Sequence, residues 1–114
     1  GIGCRIGTTA DEITTAITTA CAAAGISQDA VTLYATTVKK FHEEGLHEAV
    51  RSVSGNLIFL DDETINAQVP KTQSRAGMLG LSGVAEPCAL ALAKSGTLIL
   101  NKTVYGRVTI AIGK

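Results

Sequence analysis

Gly1-Ile2-Gly3-Cys4-Arg5-Ile6-Gly7-Thr8-Thr9, leading into Ala10-Asp11-Glu12-Ile13, reads as the end of a strand, a glycine-marked loop and a helix start. Thr9 and Glu12 have the spacing of a capping box. The threonine hydroxyl accepts the Glu12 amide, and the glutamate reaches back to the Thr9 amide. Glycines directly before a helix N-terminus leave backbone N–H groups free for an anion. The stretch from Gly3 to Thr9 is therefore expected to cradle an acidic group. Plain turn chemistry is the competing reading, because Asp11 and Glu12 already occupy the helix start. Gly1-Ile2 looks like the end of a strand whose beginning is missing.

Outward from this stretch the pattern alternates. Ile13, Ala16, Ile17, Ala20, Cys21 and Ala24 recur at helical spacing and predict a helix over 10–24, stopped by Gly25. Val31 to Ala35 reads as a second strand. Leu46, Ala49, Val50 and Val53 give a second helix, ended by Gly55. Leu57 to Leu60 is a continuous apolar run, as in a strand covered on both faces. Asp61 or Asp62 caps a short helical turn reaching about Ala67, while Val69 to Gly83 is polar and glycine-spotted. A third long helix is expected over 84–95, with Pro87 in its first turn, where the missing N–H costs little, and Gly96 as its stop. Thr97 to Leu100 and Val108 to Ile112 are the last strands. The short join from Asn101 to Arg107 makes them antiparallel, since a parallel crossover takes a dozen residues or more. The expected fold is a single α/β domain over 1–114, three layers α/β/α, around a mixed, mostly parallel sheet of about five strands whose last strand is antiparallel.

Composition narrows the function classes. The 114 residues are 46% apolar and 4% aromatic, with formal net charge 0. Neutrality points away from broad nucleic-acid or membrane-surface binding, and no apolar run approaches the roughly 20 residues of a membrane span. Cys4, Cys21 and Cys88 lack metal-site spacing and fit a reducing cytoplasm rather than a disulfide framework. No metal site is expected.

In an open α/β sheet, ligands bind at the carboxyl ends of the parallel strands. Those ends collect Gly3 to Thr9, Thr36 to Glu44, Asp61 to Asn66 and Asn101-Lys102, with Arg107 at the same edge. Arg5, Lys39, Lys40, Lys102 and Arg107 are half of the ten basic residues, so a neutral chain concentrates positive charge on one rim, mixed with Glu43, Asp61 and Asp62. The glycines spell GxGxxxG, a weak dinucleotide pattern, and a nucleotide-binding module is one alternative. Cys4 lies where a helix N-terminus and Arg5 would lower a thiol's pKa, although most cysteines simply pack. Glu86 suits the start of its helix, and Lys102 and Arg107 equally suit a protected sheet edge. His42 and His47 have no visible metal partners.

Four blocks then carry a resemblance: Gly1-Ile2-Gly3-Cys4-Arg5 through Gly7-Thr8; Lys40, Glu43 and Gly45-Leu46; Gly83-Val84-Ala85-Glu86-Pro87; and Leu100-Asn101-Lys102-Thr103 with Tyr105-Gly106-Arg107-Val108-Thr109-Ile110-Ala111. In this order they resemble the CbiG C-terminal/CobE family of cobalamin (vitamin B12) biosynthesis over essentially the whole chain. The second block is similar to the family's K-x-x-E-x-G-L stretch, the last to its P-K-x-x-x-G-N-V-T-V-A close. Val38 stands where the family often has Asp, Asn101 where it often has Pro, and Arg107 where Asn is usual. The family's P-x-P-S stretch is blurred into Pro70-Lys71-Thr72-Gln73-Ser74.

The resemblance implies a role in building the corrin ring. Full-length CbiG proteins, which carry an additional N-terminal region, open the lactone of a cobalt-precorrin-5 intermediate and release acetaldehyde; a free-standing domain resembles CobE. The implied partner is a polycarboxylate tetrapyrrole, alongside other enzymes of the pathway, with cobalt present only if the substrate carries it and no cofactor otherwise. Gly3, Arg5, Gly7, Thr8, Thr9, Lys40, Glu86, Lys102 and Arg107 are the expected substrate contacts. Glu43 is the expected base for lactone hydrolysis, Cys4 a further catalytic candidate, and the loop amides the oxyanion donors. A non-catalytic scaffold for another pathway enzyme is the remaining alternative.

Overall fold

The computed structural model describes residues 1–68 and 84–114. Expectations for Val69 to Gly83, including Pro70 to Ser74 and the Gly83 that opens the third block, lie outside them. The elements are β1 (Ile2–Cys4), α1 (Ala10–Ala24), β2 (Leu33–Thr37), α2 (Glu44–Ser52), β3 (Asn56–Leu60), α3 (Asp62–Asn66), α4 (Ala85–Leu92), β4 (Leu98–Tyr105) and β5 (Val108–Gly113).

Helix α1 forms as its spacing dictates. Ile13, Ala16, Ile17, Ala20 and Cys21 are buried along one face. Thr9 Oγ1 accepts the Glu12 amide at 3.2 Å. At the other end Gly25 adopts φ 71°. Its N–H reaches the Ala22 carbonyl at 3.1 Å and the Ile26 N–H the Cys21 carbonyl at 3.0 Å, the paired bonds of a Schellman stop.

The sheet departs from expectation. Among the described residues two sheets form, one ordered β1-β5-β4 and one β2-β3. Of the described strands only β2 and β3 pair in parallel, with Leu33 opposite Asn56 and Thr37 opposite Leu60. Both β1 and β4 run antiparallel to β5. The alternation of strands and helices was expected to give a mostly parallel ladder, but β1 takes the last strand as its backbone partner. Between the sheets, the buried Thr36 hydroxyl donates to the Ile2 carbonyl at 2.8 Å. The layering holds. On β5, Val108, Ile110 and Ile112 join Ile2, α1 and the α2 residues Leu46, Ala49 and Val50 in one core. Ala111 faces the other way, onto Ala85 and Ala89 of α4.

Several boundaries shift for local reasons. Strand β2 starts at Leu33 because a 3₁₀ turn over Gln28–Ala30 is closed by the Val31 N–H on the Gln28 carbonyl. Helix α2 ends at Ser52, and Ser54 rather than Gly55 takes the left-handed φ, 58°. Gly55 serves a different need: a Cβ there would overlap the Tyr34 ring. The apolar β3 is only half buried after its exposed Asn56, not covered on both faces. Asp61, not Asp62, caps α3 through the Thr64 amide at 2.8 Å. Helix α4 stops at Leu92, three residues short of the expected Ser95, because the chain there turns to pair with the end of β5: the Ser95 N–H reaches the Lys114 carbonyl at 2.7 Å, and the Lys114 N–H that of Thr97 at 2.9 Å. Strand β4 continues to Tyr105, so Asn101 and Lys102 lie in a strand rather than a loop. The join to β5 is two residues, with Gly106 at φ 63°, as a tight hairpin requires.

Candidate functional site

The carboxyl end of β1, the end of β2 and the β4–β5 turn meet at one edge. Cys4 pairs with Val108 in register, and the Arg5 N–H donates to the Arg107 carbonyl at 3.2 Å. From β2, Thr37 Oγ1 accepts the Lys39 amide at 3.3 Å and so caps a 3₁₀ turn, Val38–Lys40. That turn sends the chain toward the β1–α1 loop. The Gly7 N–H donates to Glu43 Oε1 at 2.8 Å. Gly45 lies so close to Thr8, Thr9 and Ala10 that a Cβ would overlap the loop backbone, and Leu46 anchors the segment in the core. The Lys40–Leu46 motif is thus the piece that docks on the glycine loop.

Docking fills the anion cradle from within. The Gly7 amide holds the Glu43 carboxylate, the Thr8 amide and hydroxyl both reach the Arg5 carbonyl, at 3.2 and 2.6 Å, and the Arg5 amide is taken by Arg107. Three of the expected amide donors, those of Arg5, Gly7 and Thr8, are therefore occupied. The dinucleotide reading weakens for the same reason. Gly1 packs against Ala85 and Ala89, Gly3 pairs with Thr109 inside β1, and only Gly7, at φ 79°, makes a turn.

The Glu12 carboxylate of the capping box is shared: besides the Thr9 backbone N–H, it receives the Arg107 guanidinium at 2.9 Å from Nε and 2.7 Å from Nη2. This pair holds the Glu12 carboxyl below its ordinary range and ties the β4–β5 turn to α1. Lys39 pairs with Asp62 at 3.4 Å. Glu86, in the first turn of α4, accepts the Lys102 amide at 2.9 Å, where the β4–β5 register shifts between Leu100 and Thr103. Lys102 thus sits within the sheet's edge strand, apart from the loop cluster, as an edge charge would. Of the five rim cations, Arg5, Lys40 and Lys102 have no carboxylate partner for their side chains among the described residues, and of these Arg5 and Lys40 lie at the loop cluster. No acidic residue falls within 69–83, so none of that segment can supply one.

Cys4 is a correction. It is 1% exposed, and burial pushes its thiol up, only partly opposed by the Lys40 charge. This is the reverse of the lowering expected from Arg5 and the helix N-terminus. All three cysteines are free and buried. Burial likewise lifts the Cys88 thiol from 9.0 to about 11 and the Tyr34 hydroxyl from 10.0 to about 12. A raised folded value favours the protonated form, so this stability is complete below the unfolded values and lost as pH rises through the folded ones. The urea midpoint is expected to fall steadily from about pH 9 toward 11, and Cys88→Ala should flatten that fall.

Sequence reasoning missed the apolar side of the edge. Ile6, at the loop tip, is 80% exposed and Phe41 52%, with Val38 exposed as well. Phe41 is braced edge-on against His42 and His47, at ring distances of 5.5 and 5.7 Å, and packs on Phe59 at 5.0 Å. The signal was available: apolar residues inside charged loops, as in Val38-Lys39-Lys40-Phe41. A cavity of about 540 Å³ lies among core residues including Ile17, Cys21, Tyr34, Cys88 and Leu92, and none of the expected ligand contacts lines it. Among the described residues no group of three His, Cys, Asp or Glu could hold a metal ion, and no helix is long and apolar enough to cross a membrane.

The model of the family described as cobalamin synthesis G C-terminus matches residues 1–113. A cobalt-precorrin-5A hydrolase of Priestia megaterium is 32% identical over 115 residues, covering 98% of this chain; the chain spans 30% of that relative's length. The crystal structure of CobE, a protein from the cobalamin biosynthetic pathway, superposes with a TM-score of 0.82 at 27% identity, over 97% of this chain and 84% of that one. The cobalamin biosynthesis protein chiG of Agrobacterium tumefaciens str. C58 superposes with a TM-score of 0.79 at 33% identity, over 100% and 96%.

Proposed function

The chain belongs to the cobalamin synthesis G C-terminal family, and from that premise we propose that its basic edge binds a corrin precursor at the lactone-opening stage. The observation that carries this reading is the pairing of two unneutralised cations, Arg5 and Lys40, with the exposed side chains of Ile6, Val38 and Phe41. A corrin precursor is a broad apolar ring fringed with acetate and propionate carboxylates. It needs both kinds of surface. Arg5 suits bidentate grip of a carboxylate, and Lys40 suits a single point of charge. Burying the ring against Ile6 and Phe41 contributes roughly 25 cal/mol for each Å² removed from water.

In the catalytic form of this reading, Glu43 takes a proton from water, the resulting hydroxide adds to the lactone carbonyl, and the acyl–oxygen bond breaks to leave a carboxylate and an alcohol. One Glu43 oxygen is steadied by Gly7 and the other has no protein donor among the described residues, which suits a positioned base. With the Arg5, Gly7 and Thr8 amides occupied, the Arg5 and Lys40 side chains are the charged donors that meet the developing oxyanion. The similarity to a cobalt-precorrin-5A hydrolase supports this step.

Titration of the chain with a ring-contracted precorrin is expected to shift the ligand's absorption spectrum, with weaker binding by Arg5→Ala. No shift at high micromolar ligand would overturn the proposal. A shift with no turnover, unaltered by Glu43→Gln, would leave a binding module without hydrolase activity.

A further inference from the structure

Lys40 differs from every other cation at the edge. It is 7% exposed, yet it makes no ion pair or side-chain hydrogen bond among the described residues. All ten Asp and Glu residues lie outside 69–83, so none of this chain's carboxylates pairs with it. Its neighbour in the motif, Glu43, is turned onto the Gly7 amide. Lysine is almost never buried without a partner, because a desolvated charge without a counter-ion is costly. Among the described residues the enclosed polar atoms lacking a partner are the Tyr34 hydroxyl and Asn66 Oδ1, and Lys40 Nζ is not one of them.

We propose that Lys40 is the seat of a carboxylate site, entered between the Gly3–Thr9 loop and the Val38–Glu43 segment, where one ligand carboxylate supplies the missing counter-ion. This rests on reading the edge as a polycarboxylate site, and it adds which cation takes the most deeply held carboxylate. Arg5, exposed at the mouth, holds a second group in contact with water. The remaining rim cations are neutralised or lie along β4, so the site selects a ligand by one enclosed carboxylate.

Melting curves of the chain in potassium malonate and in potassium chloride, at equal ionic strength, test this without any corrinoid. Malonate is expected to raise the wild-type Tm by about 4 °C or more beyond its effect on Lys40→Met. General salt stabilisation acts on both proteins and cancels in the comparison. In chloride, Lys40→Met should melt at or above wild type, because a similar apolar side chain replaces an unpaired charge. Equal malonate responses in the two proteins overturn the site. So does a Lys40→Met protein that melts well below wild type or fails to fold, since the ammonium would then already be satisfied. Amide shifts of Gly7 and Thr8 during a malonate titration should be lost in Lys40→Gln, and their persistence overturns the site too. Lys40-dependent malonate binding without precorrin binding would remove the proposed function and keep this site. Precorrin binding indifferent to Lys40→Met would do the reverse.

Discussion

Gly45→Ala is expected to destabilise the chain by about 3 kcal/mol, the upper end of the range for overpacking. Its Cβ would overlap the Thr8 carbonyl and come within 3.2 Å of the Ala10 nitrogen and the Thr9 carbonyl carbon. These are backbone atoms, which cannot rotate aside. Alanine's helix propensity returns only about 1 kcal/mol, so repulsion wins. Gly7→Ala is the matched control. Nothing lies within 4 Å of its Cβ, and the cost is the left-handed strain of φ 79°, about 1–2 kcal/mol. Urea unfolding of both variants measures the difference. If Gly45→Ala costs no more than Gly7→Ala, α2 does not dock on the loop as described.

Leu46→Ala is expected to cost about 2–5 kcal/mol. Leu46 is fully buried in the core built from α1, α2, β1 and β5, and truncation leaves a cavity where α2 packs against α1. Such a loss is a large fraction of the roughly 5–15 kcal/mol that holds a typical domain. The effect reaches the edge as well, because Leu46 is three residues from Glu43 and its N–H donates to the Glu43 carbonyl at 3.2 Å. Thermal melting should therefore show a large loss together with weaker ligand binding at temperatures where the chain is still folded. A change below about 1 kcal/mol would mean that the site collapses to fill the gap.

Helix α1 was legible to the residue, since spacing, the Thr9 cap and Gly25 agree with one another. The antiparallel β4–β5 pair followed from loop length alone. The edge cluster of the first loop with Arg5, Lys40, Glu43 and Arg107 was legible from strand ends, and the four sequence blocks pointed to the family that the comparisons bear out. Pairing was not legible. Alternation of strands and helices says which faces must be buried, but the hydrogen-bond partner of β1 is chosen by where β5 returns. Lys102 was misplaced because the register shift in β4 breaks the two-residue alternation that would have marked a strand.

The sequence by itself determined the helices, the layers, the family and the collection of charge at one edge. Each follows from periodicity, local caps or motif order, which act over a few neighbouring residues. Only the tertiary structure decided which charges remain available. The first loop was expected to be an open cradle, and its Gly7 amide is taken by Glu43, 36 residues away in sequence. Arg107 is spent on Glu12 across 95 residues, while Lys40 is buried with no acid to meet it. Hydrogen bonds and ion pairs act over a few ångströms of space, and distance along the chain does not report that separation.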